Sequence, residues 1–263
     1  MKLSISNIAW EPEYDGQVYE LMKQYGFQGL EIAPTRIFKE NPYDDLDKAG
    51  QWQENLFTQY GIVISSMQSI WYGRKEQIFG GQEERAVLSD YTRQAIDFAE
   101  TIKCHNLVFG CPKNRSVPDG AASDPVAVPF FRGLGEYAIQ KGTVIGMEAN
   151  PPIYGTNYIN STEAALDLIR KVDSAGFKLN LDVGTMLQNG ESIDMLEGKI
   201  LQINHVHISE PGLKIIEARK LHKELADYLE TCGYDGFVSV EMGKQDNIGA
   251  IESVMEYVRE IFV

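Results

Sequence analysis

Short apolar runs alternate with longer amphipathic stretches along the whole chain. The runs at 3–8, 29–32, 62–67, 106–109, 143–148, 177–182, 203–208 and 237–241 are too short for helices and rich in aliphatic residues, so each predicts a buried strand. Between them apolar residues return at helical spacing. Val18, Leu21, Met22 and Tyr25 share one face, as do Leu88, Tyr91, Ala95, Phe98, Ala99 and Ile102. Ala218, Leu221, Leu225, Tyr228 and Leu229 form a third stripe, and Ile248, Ile251, Met255, Val258 and Ile261 the last. Gly26, Gly61, Gly142, Gly176 and Gly233 stand just before strands, where a helix-ending glycine leads into a short turn.

Eight strands and eight helical intervals in 263 residues predict an α/β protein, a (β/α)8 TIM barrel formed by residues 1–263 as one domain. A doubly wound open sheet would place a glycine-rich phosphate loop after its first strand. This chain instead continues into Trp10-Glu-Pro-Glu. In a barrel the active site lies at the C-terminal strand ends.

Four of the predicted strands carry a lone metal-ligand residue at or near that end: Glu148, Asp182, His207 and Glu241. A charged side chain in an apolar run is costly to bury unless something pairs it, and the one lysine on these strands, Lys178, stands at the far end of its strand from Asp182. Two Glu, one Asp and one His on neighbouring parallel strands can converge on one divalent cation. Three carboxylates against one imidazole favour Mn2+, ahead of Co2+, Mg2+ and Zn2+. His205 and His207 both point to one side of their strand, since residues i and i+2 do so. His207 is nearer the C-terminal end and is the ligand candidate; His205 lies deeper, in support or in the core. His105 and His222 read as structural.

Bulk composition narrows the function. A net charge of −14 repels a phosphate backbone, so no nucleic-acid partner is expected. No apolar run approaches a membrane span, and residues 1–10 read as a polar-interrupted strand and not as a signal peptide. Three unpatterned cysteines, Cys104, Cys111 and Cys232, suit a reducing cytoplasm and no disulfide framework.

The segments Leu107-Val-Phe-Gly-Cys-Pro-Lys-Asn-Arg, Met147-Glu-Ala-Asn-Pro-Pro, Leu181-Asp-Val-Gly, His205-Val-His-Ile-Ser-Glu-Pro and Val240-Glu-Met carry a family resemblance. With them the whole chain resembles the xylose isomerase-like TIM barrels, in the branch of sugar phosphate isomerases/epimerases and ketose 3-epimerases. The resemblance implies a metal held by Glu148, Asp182, His207 and Glu241, with Glu148 and Glu241 also the acid/base pair. The ketose 3-epimerases carry a further Glu where this chain has Tyr154, a His within the segment occupied here by Val183-Gly-Thr-Met, and an Arg where Leu213 stands. These are substrate-gripping positions, so the resemblance implies the metal chemistry without implying free-ketose 3-epimerisation. Endonuclease IV shares the fold but needs more histidines and a basic surface.

The expected activity is therefore a metal-dependent isomerase or epimerase of a sugar or sugar derivative, neutral, phosphorylated or acidic, working through a metal-stabilised enediolate. Alternatives are a dehydratase of a cyclitol or dehydroshikimate-like acid on the same scaffold, and a non-catalytic sugar-binding barrel. Lys113 and Arg115, after the fourth strand, are candidates for an anion grip. Asn150, Tyr154 and Asn157 follow Glu148 and could bond sugar hydroxyls. Gln68 and Trp71, after the third strand, could offer an amide and an apolar wall, as could Trp10 after the first. Glu31 ends the second strand and could orient a ligand from behind. A homodimer remains open, with no readable interface patch.

Overall fold

A computed structural model describes all of residues 1–263. Its strands are β1 (Lys2–Ser6), β2 (Phe27–Ile32), β3 (Val63–Met67), β4 (Leu107–Phe109), β5 (Ile145–Glu148), β6 (Phe177–Asp182), β7 (Ile203–Ile208) and β8 (Phe237–Val240). All neighbours are parallel and pair in chain order, and β8 closes on β1. Every strand is followed by at least one helix. These are α1 (Asp15–Tyr25), α2 (Pro34–Ile37), α3 (Leu46–Tyr60), α4 (Gln82–Thr101), α5 (Asp124–Gln140), α6 (Thr162–Val172), α7 (Val183–Asn189), α8 (Lys220–Thr231) and α9 (Ile248–Phe262). The architecture is the (β/α)8 barrel, and no helix is long and apolar enough to cross a membrane.

Side-chain parity explains how charged residues reach the mouth. Leu179 and Leu181, Val206 and Ile208, and Val238 and Val240 belong to the apolar core. The residues between them make polar contacts across the barrel. Ser4 bonds Ser65 at 2.6 Å and Ser239 at 3.3 Å, and Asn106 donates to Asn180 at 3.2 Å. Such interiors are usually filled by Val, Ile and Leu. Here Ser4, Ser66, Asn106, Asn180, His205 and Ser239 are buried, so the lumen is polar and its upper layer carries the ionisable groups.

Four of the five expected helix-ending glycines have left-handed backbone: Gly26, Gly61, Gly142 and Gly233, with φ of 76°, 72°, 72° and 68°. Gly176 is different. The residue that ends α6 in a left-handed turn is Asp173, with φ of 49°. Gly176 serves close packing instead, since a Cβ there would stand 1.9 Å from the Gly135 carbonyl oxygen on α5.

Candidate metal centre

Glu148 closes β5, Asp182 closes β6, His207 lies one residue before the end of β7 and Glu241 follows β8. One ligand atom from each lies within 4.8 Å of the other three. His207 Nδ1 is 2.9 Å from Glu148 Oε1 and 3.3 Å from Glu241 Oε2. Its other nitrogen, Nε2, is 2.7 Å from Glu31 Oε2. A carboxylate at Nε2 favours the tautomer with the proton there, leaving the Nδ1 lone pair aimed at the carboxylate cluster. Two ligands bonded at about 2.0–2.2 Å to one cation stand roughly 3 Å apart, which these separations match. The donor set therefore fits a divalent ion, with Nδ1 as the imidazole ligand.

The surrounding residues fix the carboxylates. Asn180 Nδ2 and Asn150 Nδ2 approach the two oxygens of Glu148, each at 3.1 Å. Asn150 is held in turn by Arg115, whose Nη2 donates to Asn150 Oδ1 at 2.8 Å. Asp182 Oδ1 caps α7 by accepting the Thr185 N–H at 2.6 Å, and Oδ2 accepts the Ser209 hydroxyl. Gln68 donates to Glu31 at 3.1 Å and to Ser6 at 2.7 Å.

Without a cation these charges perturb one another. Burial, reinforced by Glu148, pushes the Asp182 carboxyl up to about 6. Burial pushes Glu241 up to about 7, against the pull of His207. Burial alone would depress His207, but Glu31 and Glu241 outweigh it and hold it well above the ordinary value. Burial would raise Glu31, yet His207 and His205 keep it below the usual carboxylate range.

A cleft of about 710 Å³ opens above these groups. Gln68, Trp71, Lys113, Asn150 and Tyr154 line it, along with Glu148, Asp182 and Glu241. Trp71 forms a wall, its indole N–H bonded to Thr92 at 2.8 Å and its ring edge-on to Phe109. Tyr154 Oη accepts the Gly212 N–H at 2.8 Å and retains its own proton for donation.

Three candidates fall outside the cleft. Arg115 is fully buried, donating to the Glu148 carbonyl at 2.9 Å as well as to Asn150, so its guanidinium braces the β5 end and offers nothing to a substrate anion. Asn157 is tied to Val117 in both directions at 2.8 and 2.9 Å, locking one loop to another away from the cleft. Trp10 is buried against Asp15 and Arg36 and forms no part of the wall. His205 is buried with its Nε2 3.4 Å from Glu31, behind His207 as its depth implied.

Sequence reasoning missed Asn180, Ser209 and Glu210. Asn180 had a legible signal, standing two residues before Asp182 and so on the same side of β6. Ser209 and Glu210 directly follow β7, but only the fold shows that they line the cleft. Glu210 is neutralised by Arg219 through contacts of 2.9 and 2.8 Å. Cys111 also lines the cleft, but burial pushes its thiol up to about 12, which makes it a poor nucleophile.

A family model described as xylose isomerase-like TIM barrel matches residues 19–261. No curated protein matches in sequence. Among solved structures, the chain is similar to D-psicose 3-epimerase from Clostridium cellulolyticum H10, with 16% identity over 100% of this chain and 99% of that one and a TM-score of 0.77. It is similar to 3-keto-D-glucoside 4-epimerase from E. coli, with 19% identity over 99% of both chains and a TM-score of 0.78. A "probable 3-DHS dehydratase" from Bacillus anthracis aligns over 99% of this chain and 98% of its own, with 15% identity and a TM-score of 0.69. At these identities the likeness carries the fold.

Proposed function

The chain belongs to the xylose isomerase-like TIM barrel family, and from that premise we propose that it is a divalent-metal-dependent isomerase or epimerase of a sugar or sugar derivative. The observation that carries this reading is the convergence of Glu148 and Glu241 on His207 Nδ1, at 2.9 and 3.3 Å. Binding a sugar needs no such pair of carboxylates, whereas proton transfer beside a carbonyl does.

Glu148, Asp182, His207 and Glu241 would hold the ion, with Mn2+ the expected species. A bound divalent cation supplies Lewis acidity to adjacent substrate oxygens, typically worth several kcal/mol to a developing enediolate. Glu148 and Glu241 are the proposed acid/base pair. Glu148 is oriented through both oxygens by Asn150 and Asn180, so it presents a fixed lone pair to a substrate C–H. Glu241 takes or returns the proton from its own side of the bound carbon. Two bases on opposite faces give epimerisation; one base moving the proton between carbons gives aldose–ketose isomerisation. Trp71 offers an apolar wall to a sugar ring, and Tyr154 a hydroxyl donor to one of its oxygens.

The test is a panel of sugars, sugar phosphates and uronates incubated in D2O with Mn2+. Deuterium at a carbon next to a carbonyl, with mass otherwise conserved, is the expected result. It should be lost in Glu148→Gln and Glu241→Gln and on chelation. A new conjugated chromophore would instead identify a dehydratase. Full activity in both variants would refute the acid/base roles.

A further inference from the structure

The cleft is charged asymmetrically. Its carboxylates, Glu148, Asp182, Glu210 and Glu241, come from the ends of β5 to β8. Its cations, Arg74, Lys75 and Lys113, come from the loops after β3 and β4. In a chain of net charge −14, three cations gathered on one wall of the reaction cleft depart from the general surface.

Those two loops are stitched together. The Gln77 side-chain amide donates to the Lys75 carbonyl at 3.3 Å and to the Lys113 carbonyl at 2.9 Å, clasping the two lysine backbones around one carboxamide. Asn114, beside Lys113, donates to the carbonyls of Arg74 and Glu76 at 3.2 and 2.9 Å, and its own carbonyl accepts the Ile78 N–H at 2.9 Å. The lysines therefore project from one braced platform and not from two independent loops. Arg74 is already engaged, forked onto Glu76 at 2.5 and 3.1 Å and lying over the Tyr91 ring. Lys75 and Lys113 are exposed and left to serve the cleft.

Resting on the proton-transfer reading above, we propose that Lys75 and Lys113 form a phosphate subsite, so that the substrate is a sugar phosphate whose reacting carbon lies over Glu148 and Glu241. A planar carboxylate is best read by a free guanidinium fork, and the one Arg in this wall is occupied by Glu76. Two exposed ammonium groups suit a tetrahedral group carrying nearly two charges. The same cations, opposed to the carboxylate wall, would orient the sugar in one direction along the cleft.

The test uses the full chain loaded with Mn2+ and paired substrates: a neutral sugar, its phosphate and its uronate. Deuterium incorporation is expected with the phosphate at a kcat/KM at least about tenfold above the others, the scale of one charge-assisted hydrogen bond. Lys75→Ala and Lys113→Ala should each raise KM for the phosphate about tenfold or more while leaving Mn2+ affinity unchanged. Lys23→Ala, on the outer ring, controls for loss of one charge and should change nothing. Equal turnover of the neutral sugar, preference for the uronate, or an unchanged KM in both lysine variants would overturn the subsite. If no substrate in the panel exchanges a proton, the catalytic reading fails separately. The subsite is then judged by calorimetric binding of inorganic phosphate: affinity lost in the lysine variants supports it, and affinity unchanged places the anion elsewhere and refutes it.

Discussion

Glu31 Oε2 stands 2.7 Å from His207 Nε2, although 176 positions separate the two residues in sequence. The carboxylate favours a proton on Nε2, while Nδ1 faces Glu148 and Glu241. Glu31 is itself held by Gln68 and has no exposure to solvent. Replacing it by Gln preserves shape but removes the charge that favours the Nε2 proton. Glu31→Gln should weaken Mn2+ binding by about 10–100-fold, the usual effect of losing a partner behind a metal ligand. Calorimetric titration checks this, and unchanged affinity would show that His207 orients without help.

Arg115 acts as a brace. Its guanidinium bonds Glu148 O, Asn150 Oδ1 and Ile159 O, all buried with it, and burial lowers its own pKa to about 10. Arg115→Met would leave those acceptors unsatisfied in the interior and should destabilise the fold by about 3–5 kcal/mol. For a chain of this size that is a fall in Tm on the order of 10 °C. An anion grip would instead leave Tm unchanged and raise only the KM for charged substrates, so thermal melting separates the two roles.

Metal affinity should depend steeply on pH. In the metal-free site Asp182 is pushed up to about 6 and Glu241 to about 7, each chiefly by burial, and His207 is held well above its ordinary value by Glu31 and Glu241. Bound protons compete with the cation, so affinity is greatest above pH 7 and falls as pH drops through 7 and then 6. Each displaced proton changes apparent affinity by up to about tenfold per pH unit. Calorimetry at pH 6.5 in buffers of different ionisation enthalpy should show at least one proton released per ion. No release would mean that the groups are already ionised.

The barrel was legible because its strands and helices have distinct periods. Residues 177–182 and 203–208 are recovered as β6 and β7 without change, and the other strands begin or end within two residues of their expected bounds. The four ligand candidates were legible because a charge at a buried strand end must be neutralised, and the one lysine on their strands, Lys178, stands at the opposite end of β6 from Asp182. Arg115 and Lys113 show where that logic stops. Two residues apart, one is enclosed by the β5 loop and the other faces the cleft, a difference set by how the loops fold over each other. Lys75 carried no signal at all, since its link to Lys113 runs through the Gln77 side chain.

Gly176 marks the same limit. Its place before a strand resembles that of Gly142, but its role comes from contact with Gly135 on a helix 41 positions earlier in the chain. Gly142→Ala strains a left-handed turn and should cost about 1 kcal/mol. Gly176→Ala drives a methyl into a backbone carbonyl and should cost roughly 3 kcal/mol or more, or prevent folding. Urea denaturation of the two variants checks the order, and equal losses would refute the packing role.

His222 gives the fold its own acid sensitivity, away from the metal centre. It lies buried on α8 with Nδ1 2.9 Å from the Tyr257 hydroxyl of α9, and its Nε2 is buried without a partner. Burial pushes its pKa down to about 4, opposed by Glu210 and aided by Arg219. In the unfolded chain the ordinary value near 6.5 returns. The folded state thus binds the proton more weakly than the unfolded one, so the stabilisation is complete above about pH 6.5 and is lost as pH falls from there toward 4. The full difference is on the order of 3 kcal/mol. His222→Gln removes this titration, so its stability should decline less than that of the natural chain between pH 7 and pH 4.5. Urea midpoints across that range measure the difference, and parallel curves for the two proteins would show that burial leaves the His222 pKa unchanged on folding.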